Sequence, residues 1–363
     1  MPLTPPAAIR PLPLPESVGT TESAAFEEMV AVMNGVAFSL WGNDDFVYSA
    51  DAELTSYRAA AFHEKLVFVA VVSGAIVGRV VVDFPLEQDA LTATLLVDVV
   101  PSLRGRGIGG ALLAKGEELA AEGGRTVVAA YTEHPVAGLD RRGERVRAAV
   151  GSSSLPGSSP DVRFALSHGY RLGQIERSSS LSLPVSPARA ERLLRDARAR
   201  SAGYRTVSWW AHAPAELVDD FARLKERMTV DVPQSGIVLD DEEWTVERVR
   251  GHEDEFVGRG EPILVTAAEH IASGRLVAYT EIAVPDDGTK AEQLDTLVAG
   301  PHRGHRLGTL VKAENLARLG ERAPHIRRLL TWNADENGPM IAVNEAFGYE
   351  PYALTGSWQK SLA

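Results

Sequence analysis

Two stretches of the chain share one rhythm of apolar and polar positions. "KLVFVAVVSG" and "AIVGRVVVDFP" (65–85) are β-rich runs around a Ser73-Gly74 turn, followed by the strand-like "TATLLVDVV" (92–100). Further on, "EPILVTAAEHIASG", "RLVAYTEIAVP" and "AEQLDTLVAG" repeat that order, with Ser273-Gly274 as the matching turn. Each set leads into a Gly-bearing loop and then an amphipathic helical run, over 108–122 and 307–320. A strand comes next, "TVVAAYTE" (126–133) or "IRRLLTWNA" (326–334), and each half closes on "HGY" (168–170) or "FGY" (347–349) and one more strand-like run. Each half therefore reads helix pair, hairpin, strand, loop, helix, strand, helix, strand. That order predicts the α+β class: two tandem domains, each a mixed, mostly antiparallel sheet flanked by helices.

The two halves align directly. "PSLRGRGIGGALLAKGEELA" (101–120) falls on "GPHRGHRLGTLVKAENLARL" (300–319) at an offset of 199 residues with no gap. A period that long means duplicated domains and not a solenoid, and 363 residues exceed one ordinary core. The predicted division is a first domain over 1–185, a helical linker over 186–203 carrying "PARAERLLRDARARSAG", and a second domain over 204–363. "RRGERVRAAVGSSSLPGSSPD" (141–161) occurs in the first half alone and reads as a Ser/Gly/Pro-rich loop.

Composition narrows the function classes. There are no cysteines, which excludes disulfides, thiolate nucleophiles and Cys-ligated zinc. No run of about 18 apolar residues reads as a membrane span. "MPLTPPAAIRPLPLPES" lacks a basic then apolar secretory pattern, so a cytoplasmic location is expected. A net charge of −12 disfavours nucleic acid and mildly favours cationic small substrates.

The loops carry the candidate chemistry. A helix N-terminus offers free N–H groups and a partial positive charge, and glycines let a pyrophosphate approach the backbone. "RGRGIG" (104–109) has alternating glycines and two arginines. "RGHRLG" (303–308) has Arg306 where the first loop has Gly107. Either the loop adapts and Arg306 pairs with a phosphate oxygen, or its Cβ blocks the cradle.

The pattern Arg-Gly-x-Gly-x-Gly between strand and helix resembles motif A of the GNAT acetyltransferases (Gcn5-related N-acetyltransferases). "NADENGPMIAVNEAFGY" (333–349) is similar to their following motif. The resemblance covers roughly 8–185 and 204–363, in a tandem arrangement like that of actinobacterial tandem GNAT proteins, an architecture mycothiol synthase shares. It implies acetyl-CoA as donor, an amine as acceptor and no metal. It carries cofactor contacts onto Val99, Arg104, Gly105, Arg106, Gly107, Ile108 and Gly109 in the first half. In the second half they fall on Val298, Arg303, Gly304, His305, Arg306, Leu307, Gly308 and Asn337.

Strand alternation then ranks the halves. The face of Val298 also holds Thr296, Leu294 and Glu292, with Asp295 opposite, whereas the face of Val99 holds Val97, Leu95 and Ala93. Glu292 is thus the candidate base of a catalytic second half, against its plainer reading as an exposed strand-end carboxylate. Backbone N–H groups near Val298 are the candidate oxyanion donors. Family members often place a tyrosine acid five residues before the aromatic of the closing turn; here Asn344 and Ala165 stand there. Tyr352 is a nearby substitute, Tyr349 reads as a core aromatic, and direct thiolate release is the remaining route.

Three functions follow. The first is an acetyl-CoA-dependent N-acetyltransferase acting on a small-molecule amine, as monomer or homodimer. The second is a catalytically inactive coenzyme-A-binding sensor or scaffold, and the third a peptide or protein N-acetyltransferase. His302 and His305 read as polar loop contacts, Trp209, Trp210, Trp244 and Trp332 as core, and "DDEEW" (240–244) as charged surface.

Overall fold

The computed structural model describes residues 7–59, 62–139, 142–231, 236–240 and 242–362. Asp241 of the acidic run and Arg141 of the insertion fall outside them. The elements are β1 (Ala8–Pro11), α1 (Ala24–Trp41), α2 (Ala50–Arg58), β2 (His63–Val72), β3 (Ala75–Pro85), β4 (Thr92–Val99), α3 (Ile108–Glu122) and β5 (Val127–Pro135). They continue with β6 (Arg145–Val146), β7 (Leu155–Pro156), α4 (Pro160–Ser167), β8 (Arg171–Ser182), α5 (Pro187–Arg198) and β9 (Tyr204–Trp210). Then come α6 (Val218–Asp231), α7 (Val246–Gly258), β10 (Ile263–His270), β11 (Arg275–Ala283), β12 (Lys290–Val298), α8 (Leu307–Arg322), β13 (Arg328–Ala334), α9 (Gly338–Phe347) and β14 (Glu350–Ser361).

The chain divides into two packed units, and the division is not at the linker. Described residues within 1–175, 236–240 and 355–362 form the first unit, and those within 176–231 and 242–354 form the second. The change of unit falls inside β8 and again inside β14. The linker run itself folds as α5 and packs on α8 in the second unit, with Ala197 and Leu194 against Leu310 and Val311.

In the first unit the sheet runs β1-β2-β3-β4-β5, with the end of β14 beside β5. β1–β2, β2–β3 and β3–β4 pair antiparallel, and β4 pairs with β5 in parallel. Alternating apolar residues of β2 and β3 take one face to α1, where Phe26, Met29 and Val30 pack on Val67, Val69 and Val81. The Ser/Gly/Pro-rich insertion contains a short hairpin, β6–β7, and buries Leu155 completely.

In the second unit the order is β9-β10-β11-β12-β13, with residues 176–182 of β8 antiparallel to β13. Its sheet is covered on both faces. Trp209, Phe221 and Tyr279 stack edge to face under α6, with ring centroids 5.1 and 5.2 Å apart. On the other face Leu264, Ile282, Leu329 and Phe347 pack beneath α8 and α9. Strands buried on both faces read as the near-continuous apolar runs seen in the sequence.

Candidate active site

The site of the second unit begins where two parallel strands part. β12 and β13 pair only from Lys290↔Arg328 to Gln293↔Thr331, while β12 runs on to Val298 and β13 to Ala334. A cavity of about 770 Å³ opens beside this wedge. Thr296 and Val298, the loop from Arg303 to Gly308 apart from His305, Asn337, and Met340 and Val343 of α9 line it. The first unit repeats the parting strands: β4 and β5 pair only from Thr92↔Val127 to Leu95↔Ala130.

Backbone direction turns donors into the wedge. Ala299 N–H donates to Val277 O at 2.9 Å, so the neighbouring pair Val298↔Ala278 is the one without cross-strand bonds. Val298 N–H therefore points away from β11, into the wedge. Val100 N–H donates to Val77 O at 3.0 Å and turns Val99 the same way in the first unit.

Both loops follow one path. Gly105 and Gly107 have φ of +74° and +83°, and Gly304 and Arg306 have +87° and +55°. Arg306 thus adopts the left-handed conformation that Gly107 supplies in the first loop. For an L-residue that costs roughly 1–2 kcal/mol. Space is not the obstacle, because a Cβ at Gly107 would meet nothing within 4 Å. No side chain caps α3 or α8, so the first N–H groups of each helix stay available for an anion. Arg104 Nε donates to Val99 O at 3.1 Å and Arg303 Nε to Val298 O at 3.2 Å, each tying its loop to the strand before it.

The strand face expected for Glu292 is corrected by a bulge. Pairing along β11 and β12 jumps from Thr280↔Thr296 to Ile282↔Gln293, so Leu294 and Asp295 together oppose Glu281 alone. The extra residue reverses the alternation. Ala291 and Val298, seven apart, both pack on the α8 face, while Leu294 and Leu297 both pack on the α6 face. Glu292 consequently lies on the face away from Val298, where its Oε1 accepts from Lys290 Nζ at 2.6 Å. The first unit has no such shift between β3 and β4.

The bulge brings Asp295 forward instead. Its Oδ2 accepts from Lys225 Nζ and Tyr279 Oη, both at 3.2 Å, and its side chain is 35% exposed. Lys225 is buried and also donates to Glu281 Oε2 at 2.8 Å, with the Trp244 ring 4.5 Å from its Nζ. Burial alone would lower the Lys225 ammonium, but Glu281 and Asp295 hold it above its usual value. Burial pushes the Glu281 carboxyl up to about 7, against the pull of Lys225.

The remaining expected residues scatter. Asn337 lines the cavity and caps α9, accepting from Met340 N–H at 3.3 Å. Tyr352 is not among the cavity's lining residues; it lines a separate 420 Å³ depression with Ser180 and Arg189. Tyr349 is buried with no partner for its hydroxyl, which burial holds protonated. Asn344 Oδ1 accepts from Lys312 Nζ at 2.9 Å. His302 Nδ1 lies 3.0 Å from Tyr204 Oη, and the His305 ring centroid lies 5.4 Å from that of Tyr204. Among the described residues no group of three or more His, Cys, Asp or Glu is placed to hold a metal, and no helix is long and apolar enough to cross a membrane. Sequence reasoning missed Lys225 and Lys312, although each is a lysine set between apolar neighbours on a helical core face.

The comparisons with known proteins concern the fold and the family. Residues 36–138 match the Acetyltransferase (GNAT) family. No curated protein matches. Among solved structures, the chain is similar to a tandem GNAT protein from the clavulanic acid biosynthesis pathway, with 26% identity over 98% of each chain and a TM-score of 0.74. It shares its fold with a GCN5-related N-acetyltransferase from Sphaerobacter thermophilus, at 15% identity over 98% of this chain and 95% of that one, with a TM-score of 0.62. It also shares its fold with a putative acetyltransferase from Pyrococcus horikoshii, at 10% identity over 99% and 91% and a TM-score of 0.52. Residues 36–138 thus match a GNAT domain, and nearly the whole chain is similar to a tandem GNAT protein.

Proposed function

We propose that the second unit transfers an acetyl group from acetyl-CoA to the amine of a small molecule. The observation that carries this reading is the 770 Å³ cavity running from the loop at 303–308 to the parted strands at Thr296 and Val298. The pyrophosphate fits at the uncapped N-terminus of α8, with Arg306 as its cationic partner. The pantetheine enters the wedge past Asn337, and Val298 N–H meets the thioester oxygen. The amine approaches from the α6 face, where Asp295 accepts its proton. The nitrogen lone pair forms the C–N bond, the C–S bond breaks, and its electron pair leaves on sulfur. Alignment of the two reactants supplies much of the rate.

For the first unit we infer cofactor binding without turnover. Its loop has the fuller glycine pattern, but the face beside its unbulged strand is filled. Arg79, buried, donates to Asp98 Oδ2 at 2.7 Å, to Tyr57 Oη and to Met29 Sδ.

Calorimetric titration of acetyl-CoA into the intact chain and into Arg306→Glu tests both readings. Two binding events in the intact chain and one in the variant are expected, with loss of coenzyme A release against a panel of primary amines. An unchanged isotherm would remove the cofactor from the second unit and overturn the assignment.

A further inference from the structure

One buried cation stands beside the second unit's cavity without a counter-charge. Lys312 is 2% exposed. It lies within one turn of Gly308 and Thr309, which line the cavity. Its Nζ donates to Asn344 Oδ1 at 2.9 Å, and Asn344 Nδ2 donates to Asn333 Oδ1 at 2.6 Å. The Tyr349 ring lies 5.6 Å from the Nζ. So α9 presents an amide, β13 an amide, and the turn before β14 a phenol that burial keeps neutral. Among the described residues no carboxylate pairs with Lys312; the cavity's own carboxylate, Glu336, lies ahead of α9. Lys225, the other fully buried lysine of this unit, has two carboxylates.

An uncompensated buried ammonium is costly, and desolvation lowers its pKa to about 7. Apolar residues do the same packing elsewhere in this chain: at the offset of 199, Leu113 replaces Lys312, and Ala165 stands where the second unit has Asn344. The cost is recovered only when a negative charge develops nearby. On the acetyl-CoA reading, such a charge forms in this cavity on the sulfur of the departing coenzyme A.

We propose that Lys312 is a positioning residue for thioester cleavage, stabilising the thiolate of coenzyme A through the wall of the second-unit cavity. In the step, the amine nitrogen bonds to the acyl carbon, the C–S electron pair leaves on sulfur, and the amine proton goes to Asp295. At and below about pH 7 Lys312 is an ammonium, keeps its own proton and supplies field. Asn344 fixes the ammonium, using the oxygen that faces it. This inference rests on the second unit holding coenzyme A.

The test uses coenzyme A itself, so no acceptor is needed. The thiolate absorbance of bound coenzyme A is followed against pH in the intact chain, Lys312→Met and Asn344→Asp, while calorimetry reports binding. At and below about pH 7, where Lys312 carries its charge, the thiolate fraction of second-unit coenzyme A should be about tenfold or more higher in the intact chain than in Lys312→Met. Asn344→Asp, which gives Lys312 a counter-charge, should shift it the same way as Lys312→Met. The first-unit site is common to all three proteins and cancels. If coenzyme A binds the second unit and the three titrations coincide, Lys312 is structural and the inference fails. If Arg306→Glu leaves coenzyme A binding unchanged, the cofactor reading fails and takes the inference with it.

Discussion

The two units share a loop and differ in the strand that leads to it. β4 pairs with β3 in unbroken register, whereas β12 carries one extra residue at Leu294-Asp295. That residue presents a half-exposed carboxylate beside the wedge and coincides with a polar interior. Tyr279, Glu281 and Lys225 surround Asp295 in the second unit. In the first, Arg79 closes on Asp98 and Tyr57. The same contrast runs along the helices. Gly116 of α3 packs so closely that a Cβ would lie 3.0 Å from Val80, while its counterpart Asn315 donates to Leu264 O and accepts from Thr266. Both halves share the loop path, and only the second places a carboxylate, a tyrosine and a buried lysine together beside the strand.

The comparison breaks most sharply at Lys225. Lys225→Met should lower the stability of the second unit by about 3–5 kcal/mol, because Glu281 is left buried and unpaired. Urea melts read by Trp fluorescence check this; a loss under about 1 kcal/mol would mean the cluster is not the buried ion network described here. Asp295→Asn keeps the shape and removes the proposed base. It should reduce amine-dependent coenzyme A release roughly 100-fold or more with little change in acetyl-CoA affinity. A matching loss in Glu292→Gln, with Asp295→Asn unaffected, would return the role to the other side of the bulge.

A pH series sharpens the comparison further. The folded-state pKa of Lys312 is lowered to about 7, below its value in the unfolded chain. Between about 7 and the ordinary lysine value the unfolded state binds the extra proton, so stability must rise with pH there. The intact chain should therefore gain on Lys312→Met as pH rises through that window, and the gap should be constant below it. Denaturant midpoints measured from neutral to alkaline pH decide the sign. The smallest expected effect is at the loops. Arg306→Gly should add about 0.4–1 kcal/mol of stability by relieving the left-handed backbone, and Gly107→Arg should remove a similar amount from the first unit.

Repeat and order were legible because apolar alternation and loop glycines are local signals. Asn344 was legible as a departure from the family pattern. The face of Glu292 differs from the one alternation predicts because phase along a strand assumes regular pairing, and nothing in "KAEQLDTLV" marks the inserted residue. Tyr352 was drawn in by nearness in sequence, yet β14 carries it to a different surface. The insertion reads as loop by composition, but Leu155 is anchored in the core of the first unit, against a C-terminal segment no local pattern could announce. The predicted linker over 186–203 follows the helical composition of α5, while the packing follows which strands are neighbours.

Residues 355–362 complete the first unit, although they are the last of the described chain to be made. During synthesis β5 must wait, its outer edge unpaired, until the whole second unit has left the ribosome. Trp358, fully buried with its indole donating to Thr132 Oγ1 at 2.9 Å, is the residue that ends that wait. A fragment ending near residue 200 would thus expose a bare strand edge to its neighbours and invite aggregation.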